Sequence, residues 1–342
     1  MTSLSHLRCS SPASVAGRAL GPAPPGNKPV RAEVRPNDSG GVTREIPAGS
    51  IVVGTDGSDH AERAVVWAAQ QAHAEGRPLD IVHAYGRVGV GELAWLGTPG
   101  LDQSVLTRAL REAGETLVAE AREIAVLEAP GLVVRTHVLD TDARDALVDA
   151  SVSAYLVVLG SRGRGPIRTL VLGSVGQSVA RWGKCPVVVC RPPEYRHGAP
   201  EVLVGAEGSV ASLPVIEFAF QQASLHHLRL VVMHSFVDPT LAARGSGGAT
   251  SAEPSDLSEL RMLLSESVAG LGEKYPDVEV DLRLSQGLVD QCLLDEAPEA
   301  ELLVVGRSDV TGWSRFLYSS CALAVLERAR TTVVVVPEHR TE

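Results

Sequence analysis

Apolar positions along the chain fall in short runs separated by stretches of helical period. Ile51 to Val53 within SIVVGTDGS, Leu79 to Tyr85 (LDIVHAY), Leu132 to Leu139, Tyr155 to Leu159 (YLVVL) and Val187 to Cys190 have the length and composition of buried strands. Between them, Asp59 to Gly76 carries Ala64, Val65, Ala68, Ala69 and Ala72 at helical spacing. Leu101 to Glu128 places Leu106, Leu110, Leu117, Val118 and Ala121 on one face. Ala143 to Ser153 and Val175 to Trp182 predict two further helices. Five strands alternating with four helices demand a parallel sheet closed by right-handed crossovers.

The pattern then starts again. EVLVGAEGS at Glu201 to Ser209 parallels SIVVGTDGS, and LVVMHSF at Leu230 to Phe236 parallels LDIVHAY at the same offset, so that His234 falls in the register of His83. A repeat of about 150 residues is too long for a solenoid unit and matches a duplicated domain. The second copy continues through a helix at Ser255 to Tyr275, a strand at Val278 to Leu284, a helix at Leu288 to Ala297, and strands at Leu302 to Val305 and Val333 to Val336. The expected organisation is a first domain at 47–192, a linker at 193–200 (around PPEYRHGAP) and a second domain at 201–338. Residues 1–46, rich in Pro, Gly, Ser, Ala and Arg without sustained periodicity, read as a disordered tail.

One stretch carries chemistry. Gly160 to Ser174 reads GSRGRGPIRTLVLGS, between a strand and a helix. Gly160 at the strand end lets a flat ring or sugar lie against the backbone, and Gly163 is expected to take positive φ, turning successive N–H groups toward one point. Gly173, Ser174 and Val175 fall where the next helix begins, where unpaired N–H groups and the helix dipole favour an anion. Arg162, Arg164 and Arg168 add guanidinium groups, which suit phosphate or form a solvated loop face. The shape expected is a phosphate cradle.

This spacing resembles the G-2x-G-9x-G(S/T) signature of the ATP-binding branch of the universal stress protein family at every fixed position, and the resemblance runs from Ser50 to about Pro337 as a tandem arrangement. It implies an α/β fold class of two tandem doubly wound five-stranded parallel-sheet domains, adenine nucleotide alpha hydrolase-like. It also implies ATP with Mg2+ as the ligand, bound beyond the carboxyl ends of the strands. Asp56 matches the family's nucleoside-contacting Asp, and a carboxylate is a good acceptor for ribose hydroxyls; the competing reading is a turn carboxylate, although Asp59 is better placed to cap the helix. Ala84, Leu159 and Gly160 match backbone contacts to the nucleotide. Gly176 departs from the Ser or Thr that members often carry. His83 is expected to pack or bond locally. In the second copy, Gly306, Asp309, Ser319 and Ser320 align with Gly160, Gly163, Gly173 and Ser174, and Glu207 replaces Asp56. Asp309 brings negative charge to the phosphate position, so this half is expected to be degenerate. The family's last strand often mediates dimer contacts, which implies pairing between the two copies or a homodimer.

Composition narrows the alternatives. A net charge of −10 argues against a nucleic-acid partner. Cys9, Cys185, Cys190, Cys292 and Cys321 form no C-x-x-C pair, so they read as free thiols of a reducing, cytoplasmic protein. No apolar run reaches the roughly 18 residues of a membrane helix. GxxxxGK[ST], GxSxG and HExxH are all absent. The favoured reading is a nucleotide-linked regulatory or protective protein of the stress response rather than an enzyme. The open alternatives are a nucleotide-independent interaction module and a slow ATP hydrolase or phosphotransferase using Asp56, or Asp140 with Asp142, to hold Mg2+.

Overall fold

The computed structural model describes residues 46–86, 103–163, 172–192, 200–207, 212–236, 254–307 and 315–338. The first copy runs β1 (Ile51–Gly54), α1 (Asp59–Ala74), β2 (Leu79–Ala84), α2 (Gln103–Glu128), β3 (Val134–Leu139), α3 (Ala143–Ala150), β4 (Leu156–Gly160), α4 (Ser174–Trp182) and β5 (Val187–Cys190). The second runs β6 (Glu201–Gly205), α5 (Leu213–His226), β7 (Arg229–Phe236), α6 (Pro254–Lys274), β8 (Val280–Gln286), α7 (Val289–Glu296), β9 (Ala300–Arg307), α8 (Arg315–Arg328) and β10 (Thr332–Pro337). Neither α5 nor α8 is marked by the sequence pattern.

Both copies share the strand order third, second, first, fourth, fifth, and pair in parallel throughout. Where they meet, β5 and β10 run antiparallel, with Val189 opposite Val333 and Val187 opposite Val335. The two five-stranded sheets therefore form one ten-stranded sheet in the order β3-β2-β1-β4-β5-β10-β9-β6-β7-β8, with β3 and β8 at its edges.

The strands read as uninterrupted apolar runs because both faces of the sheet are covered. Ile51 and Val53 point into a core shared with α1, α2, α5 and α6, whereas Val52 points into one shared with α3, α4, α7 and α8. Leu156 and Val158 alternate with Val157 and Leu159 in the same way. Both cores cross the β5/β10 seam.

Polar groups also fasten the seam. Buried Gln71 of α1 donates from Nε2 to Gln222 Oε1 of α5 at 3.0 Å. Arg307, the last residue of β9, donates to the Ala180 and Gly183 carbonyls at the end of α4 (2.9 and 2.7 Å). Arg191, after β5, donates to the Leu326 carbonyl near the end of α8. Each copy thus supplies a buried guanidinium to the last turn of the other's equivalent helix, where carbonyls lack intrahelical donors.

The duplication extends to single bonds. His83 Nδ1 lies 2.8 Å from the Thr55 carbonyl, and His234 Nδ1 lies 2.9 Å from the Ala206 carbonyl. His83 is also closed in by α2, since a Cβ on Gly114 would sit 2.8 Å from its ring. It is bonded and packed locally.

Among the described residues no helix is long and apolar enough to cross a membrane. Cys185, Cys190, Cys292 and Cys321 are free, and burial pushes the Cys185 and Cys321 thiols up to about 12.

Candidate functional site

β1 ends at Gly54, where a Cβ would press on Leu159 Cδ2 at 2.8 Å and Leu147 Cδ1 at 3.0 Å. The chain then turns through Thr55-Asp56-Gly57-Ser58. Gly57 N donates to Thr55 Oγ1 (3.2 Å), Ser58 N donates to Asp56 Oδ1 (3.1 Å), and Gly57 takes a φ of 71°. Ser58 caps α1 by accepting from Ala61 N at 3.3 Å. The cap is therefore Ser58 and not Asp59, which lies in the first turn of the helix.

Gly160, at the end of β4, lies hard against the start of α1. A Cβ there would stand 2.5 Å from the His60 carbonyl oxygen and 2.9 Å from Ala61 N. Ser161 then anchors the loop three ways: its N–H donates to the Cys190 carbonyl (3.1 Å), its carbonyl accepts from Gly173 N (2.9 Å), and its Oγ lies 3.0 Å from His60 Nδ1. The ends of the glycine-rich loop are thereby clamped together.

Gly163 is a glycine for a different reason than expected. Its φ is not in the positive range; instead a Cβ would collide with Asp56 Oδ2 at 2.5 Å. The missing side chain leaves room for a carboxylate. Gly173 is the N-cap of α4, in extended conformation (φ −77°, ψ 155°), with no side chain to cap the helix. The first N–H groups of α4 and the positive end of its dipole are therefore left without a side-chain cap. Arg164 and Arg168 lie outside the described residues.

These elements enclose a cavity of 360 Å³ at the carboxyl end of the first copy's strands, within the range of roughly 300–1,000 Å³ typical of small-molecule sites. Asp56 and Ala84 line it from the ends of β1 and β2; Leu159, Gly160, Arg162 and Gly163 line it from the end of β4; Gly173, Ser174 and Val175 line it from the start of α4. All nine residues singled out from the sequence share one wall system. Gly54, Thr55, Ala61, Val82, Ala143 and Leu147, which the sequence pattern does not single out, also line the cavity. Helical and strand period marks such positions as core, and only their place at the strand ends distinguishes them. Gly176 also lines the cavity, and a Cβ there would meet Leu172 Cδ1 at 3.1 Å.

The charged groups nearby divide into two sets. Asp142 caps α3, accepting from Arg144 N (2.8 Å), Nε (2.9 Å) and Nη2 (2.8 Å), and the Arg144 bonds pull its carboxyl down to about 2. Ala143, not Asp142, reaches the cavity. Among the described residues no three His, Cys, Asp or Glu side chains converge on a metal position. On the other side, His60 is held below its ordinary value by burial and then by Arg63 and Arg162.

A model of the universal stress protein family matches residues 48–191 and again 200–337. The chain belongs to the universal stress protein family. It is similar to a universal stress protein of Mycolicibacterium smegmatis, 32% identical over 295 residues that cover 84% of this chain and 96% of the relative. A universal stress protein of Mycobacterium tuberculosis is 33% identical over 297 residues, covering 85% of this chain and 97% of that one. A crystal structure of a universal stress protein from Archaeoglobus fulgidus shares the fold with a TM-score of 0.60, covering 86% of this chain and 98% of its own at 17% identity.

The second universal stress protein copy repeats the scaffold and alters the site. A Cβ on Gly205 would meet Leu293 Cδ1 at 3.0 Å, as one on Gly54 would meet Leu147 Cδ1. Beside Gly306, in contrast, stands the buried Glu338 carboxylate, in addition to Val215 of α5. Asp309 and the side chains of Ser319 and Ser320 lie outside the described residues.

Proposed function

We propose that this universal stress protein binds ATP, with Mg2+, in the cavity of its first copy (47–192), and that the second copy (201–338) is a degenerate half that takes no nucleotide. ATP occupancy then serves a regulatory or protective role in the stress response. The observation that carries this reading is the convergence of a ribose acceptor, two apolar strand ends and an uncapped helix start on one cavity of 360 Å³.

The chemistry fits the ligand residue by residue. The Asp56 carboxylate accepts from ribose hydroxyls, and Gly163 leaves the space it occupies. The strand ends at Ala84 and at Leu159–Gly160 offer flat, partly apolar surface to an adenine ring. The N–H groups of Gly173, Ser174 and Val175, with the Arg162 guanidinium, offer donors and positive charge to phosphate. Bound Mg2+ would neutralise phosphate charge, with the protein supplying few carboxylates of its own.

In the second copy, Asp309 stands in the sequence at the position of Gly163, and the Glu338 carboxylate lies beside Gly306 in the structure. Negative charge there opposes an anionic ligand. The last strands of the two copies are consumed by the β5/β10 pairing, so assembly with a second chain would use other surfaces.

Calorimetric titration of the full chain with ATP and Mg2+, beside the Gly163→Asp variant, tests the proposal. One site per chain, lost in the variant, is the expected result. No heat and no shift in melting temperature with any adenine nucleotide would overturn it.

A further inference from the structure

A second and larger cavity, 890 Å³, opens at the junction of the two copies. One wall is the first half of α1, including Arg63 and Trp67. The floor is the end of β5 at Cys190 and Arg191, and the far wall is formed by the turns that lead into β9 and β10 of the second copy.

The floor of this cleft is cationic and its rim is mixed. Arg191 is 8% exposed, and its bond to the Leu326 carbonyl fixes the guanidinium in place. Arg63 Nε is buried with no hydrogen-bond partner among the described residues. Arg63 itself is half-buried and lines the cleft, so its guanidinium is within reach of an anion there. Asp59, Glu62 and Glu301 also line the cleft, but they are exposed, as are Gln70 and Arg330. Burial, and then the neighbouring Arg162 of the first cavity, lowers Arg191 to about 10. Trp67 packs on the core and turns part of an apolar ring surface to the same space.

We propose that this inter-copy cleft is a second ligand site, taking a small molecule whose phosphate or carboxylate group is held by Arg63 and Arg191 while its hydroxyl groups face the carboxylates of the rim. A guanidinium pair suits either anion, and donors on the ligand suit Asp59, Glu62 and Glu301. The site is separate from the first cavity yet shares a wall with it: Ala61 faces the first cavity, whereas Asp59, Glu62 and Arg63, in the same helical turn, face the cleft.

The test uses glycerol 3-phosphate and glycerate, which share a hydroxylated three-carbon frame and differ in the anion. Each is titrated into the full chain, alone and with saturating ATP and Mg2+, following tryptophan emission and heat. At least one probe binds at a single saturable site per chain, with an emission change that disappears in Trp67→Phe. Affinity falls about 10-fold or more in Arg63→Met, as expected for loss of a charge-assisted bond, while ATP affinity in that variant stays within about twofold. Tighter binding of one probe identifies the anion class. The proposal is overturned if neither probe binds, if Arg63→Met binds both as tightly as the native chain, or if ATP displaces the probe one for one. The titrations without nucleotide stand whether or not the first cavity takes ATP.

Discussion

Adding the same methyl group at Gly160 and at Gly163 has opposite consequences, because the two Cβ atoms meet different kinds of neighbour. In Gly160→Ala the new carbon lies 2.5 Å from the His60 carbonyl oxygen and 2.6 Å from its carbon, both backbone atoms of α1. Restoring ordinary contact of roughly 3.5 Å requires the helix start to withdraw by on the order of 1 Å. That helix is anchored by Ala64, Val65, Ala68, Ala69 and Ala72 in the core, so it yields poorly. Overpacking of this kind costs about 1–3 kcal/mol. At about 2–4 °C per kcal/mol for a domain of this size, the melting temperature falls by roughly 2–12 °C.

In Gly163→Ala the carbon meets only the tip of the Asp56 side chain, which can rotate away for about 0.5–1.5 kcal/mol. Melting shifts by about 1–6 °C on the same scale. The displaced carboxylate no longer accepts from the ribose, and loss of a charged hydrogen bond worth about 1.5–3 kcal/mol weakens ATP roughly 10- to 100-fold. Thermal melts and calorimetric titration of the two variants decide the matter. Equal destabilisation by both, or native ATP affinity in Gly163→Ala, would refute the assignment of Gly163 as space for Asp56.

Two further outcomes follow from the carboxylates outside the cavity. Asp80, on β2, is fully buried and accepts from Arg135 (2.8 and 2.7 Å) and lies 2.7 Å from His137 Nε2. Burial alone would raise its carboxyl, but the His137 and Arg135 bonds hold it below its ordinary value. The group therefore stabilises the fold fully above the ordinary carboxylate range and loses that contribution as pH falls through its lowered value. Asp80→Asn, discounted for the partly exposed Arg135, costs about 2–3 kcal/mol at pH 7, and the gap to the native chain, measured by denaturant unfolding, narrows in acid; a gap constant with pH would contradict this. Asp142→Ala removes the α3 cap and costs about 1 kcal/mol, a loss that fades as pH falls toward 2, and it leaves ATP affinity unchanged; phosphate release by the native chain that vanishes in the variant would instead give Asp142 a catalytic part.

Much of this architecture is written in local pattern. The strand runs and the shared offset of SIVVGTDGS and EVLVGAEGS carry the parallel topology and the duplication, because two buried faces leave each strand no polar alternation to obscure it. α5 was harder to read: Val215 to Phe220 is apolar on most sides, since the helix is buried against both the sheet and α1, so no polar stripe marks its period. The cradle residues were legible because fixed spacing between a strand and a helix constrains geometry. The reason for Gly163 was not, since its neighbour Asp56 is distant in sequence and only the folded loop brings them together. The β5/β10 seam, the crossed pair Arg191 and Arg307, and the inter-copy cleft arise from long-range packing that no periodicity records.

The most direct measurement is a crystal structure of the full chain grown with ATP and Mg2+. Adenosine against Asp56 and Ala84, phosphates at the start of α4, and no nucleotide in the second copy is the expected result. Nucleotide in the second copy, or none beside Gly163, would contradict the assignment of the first copy as the single ATP site.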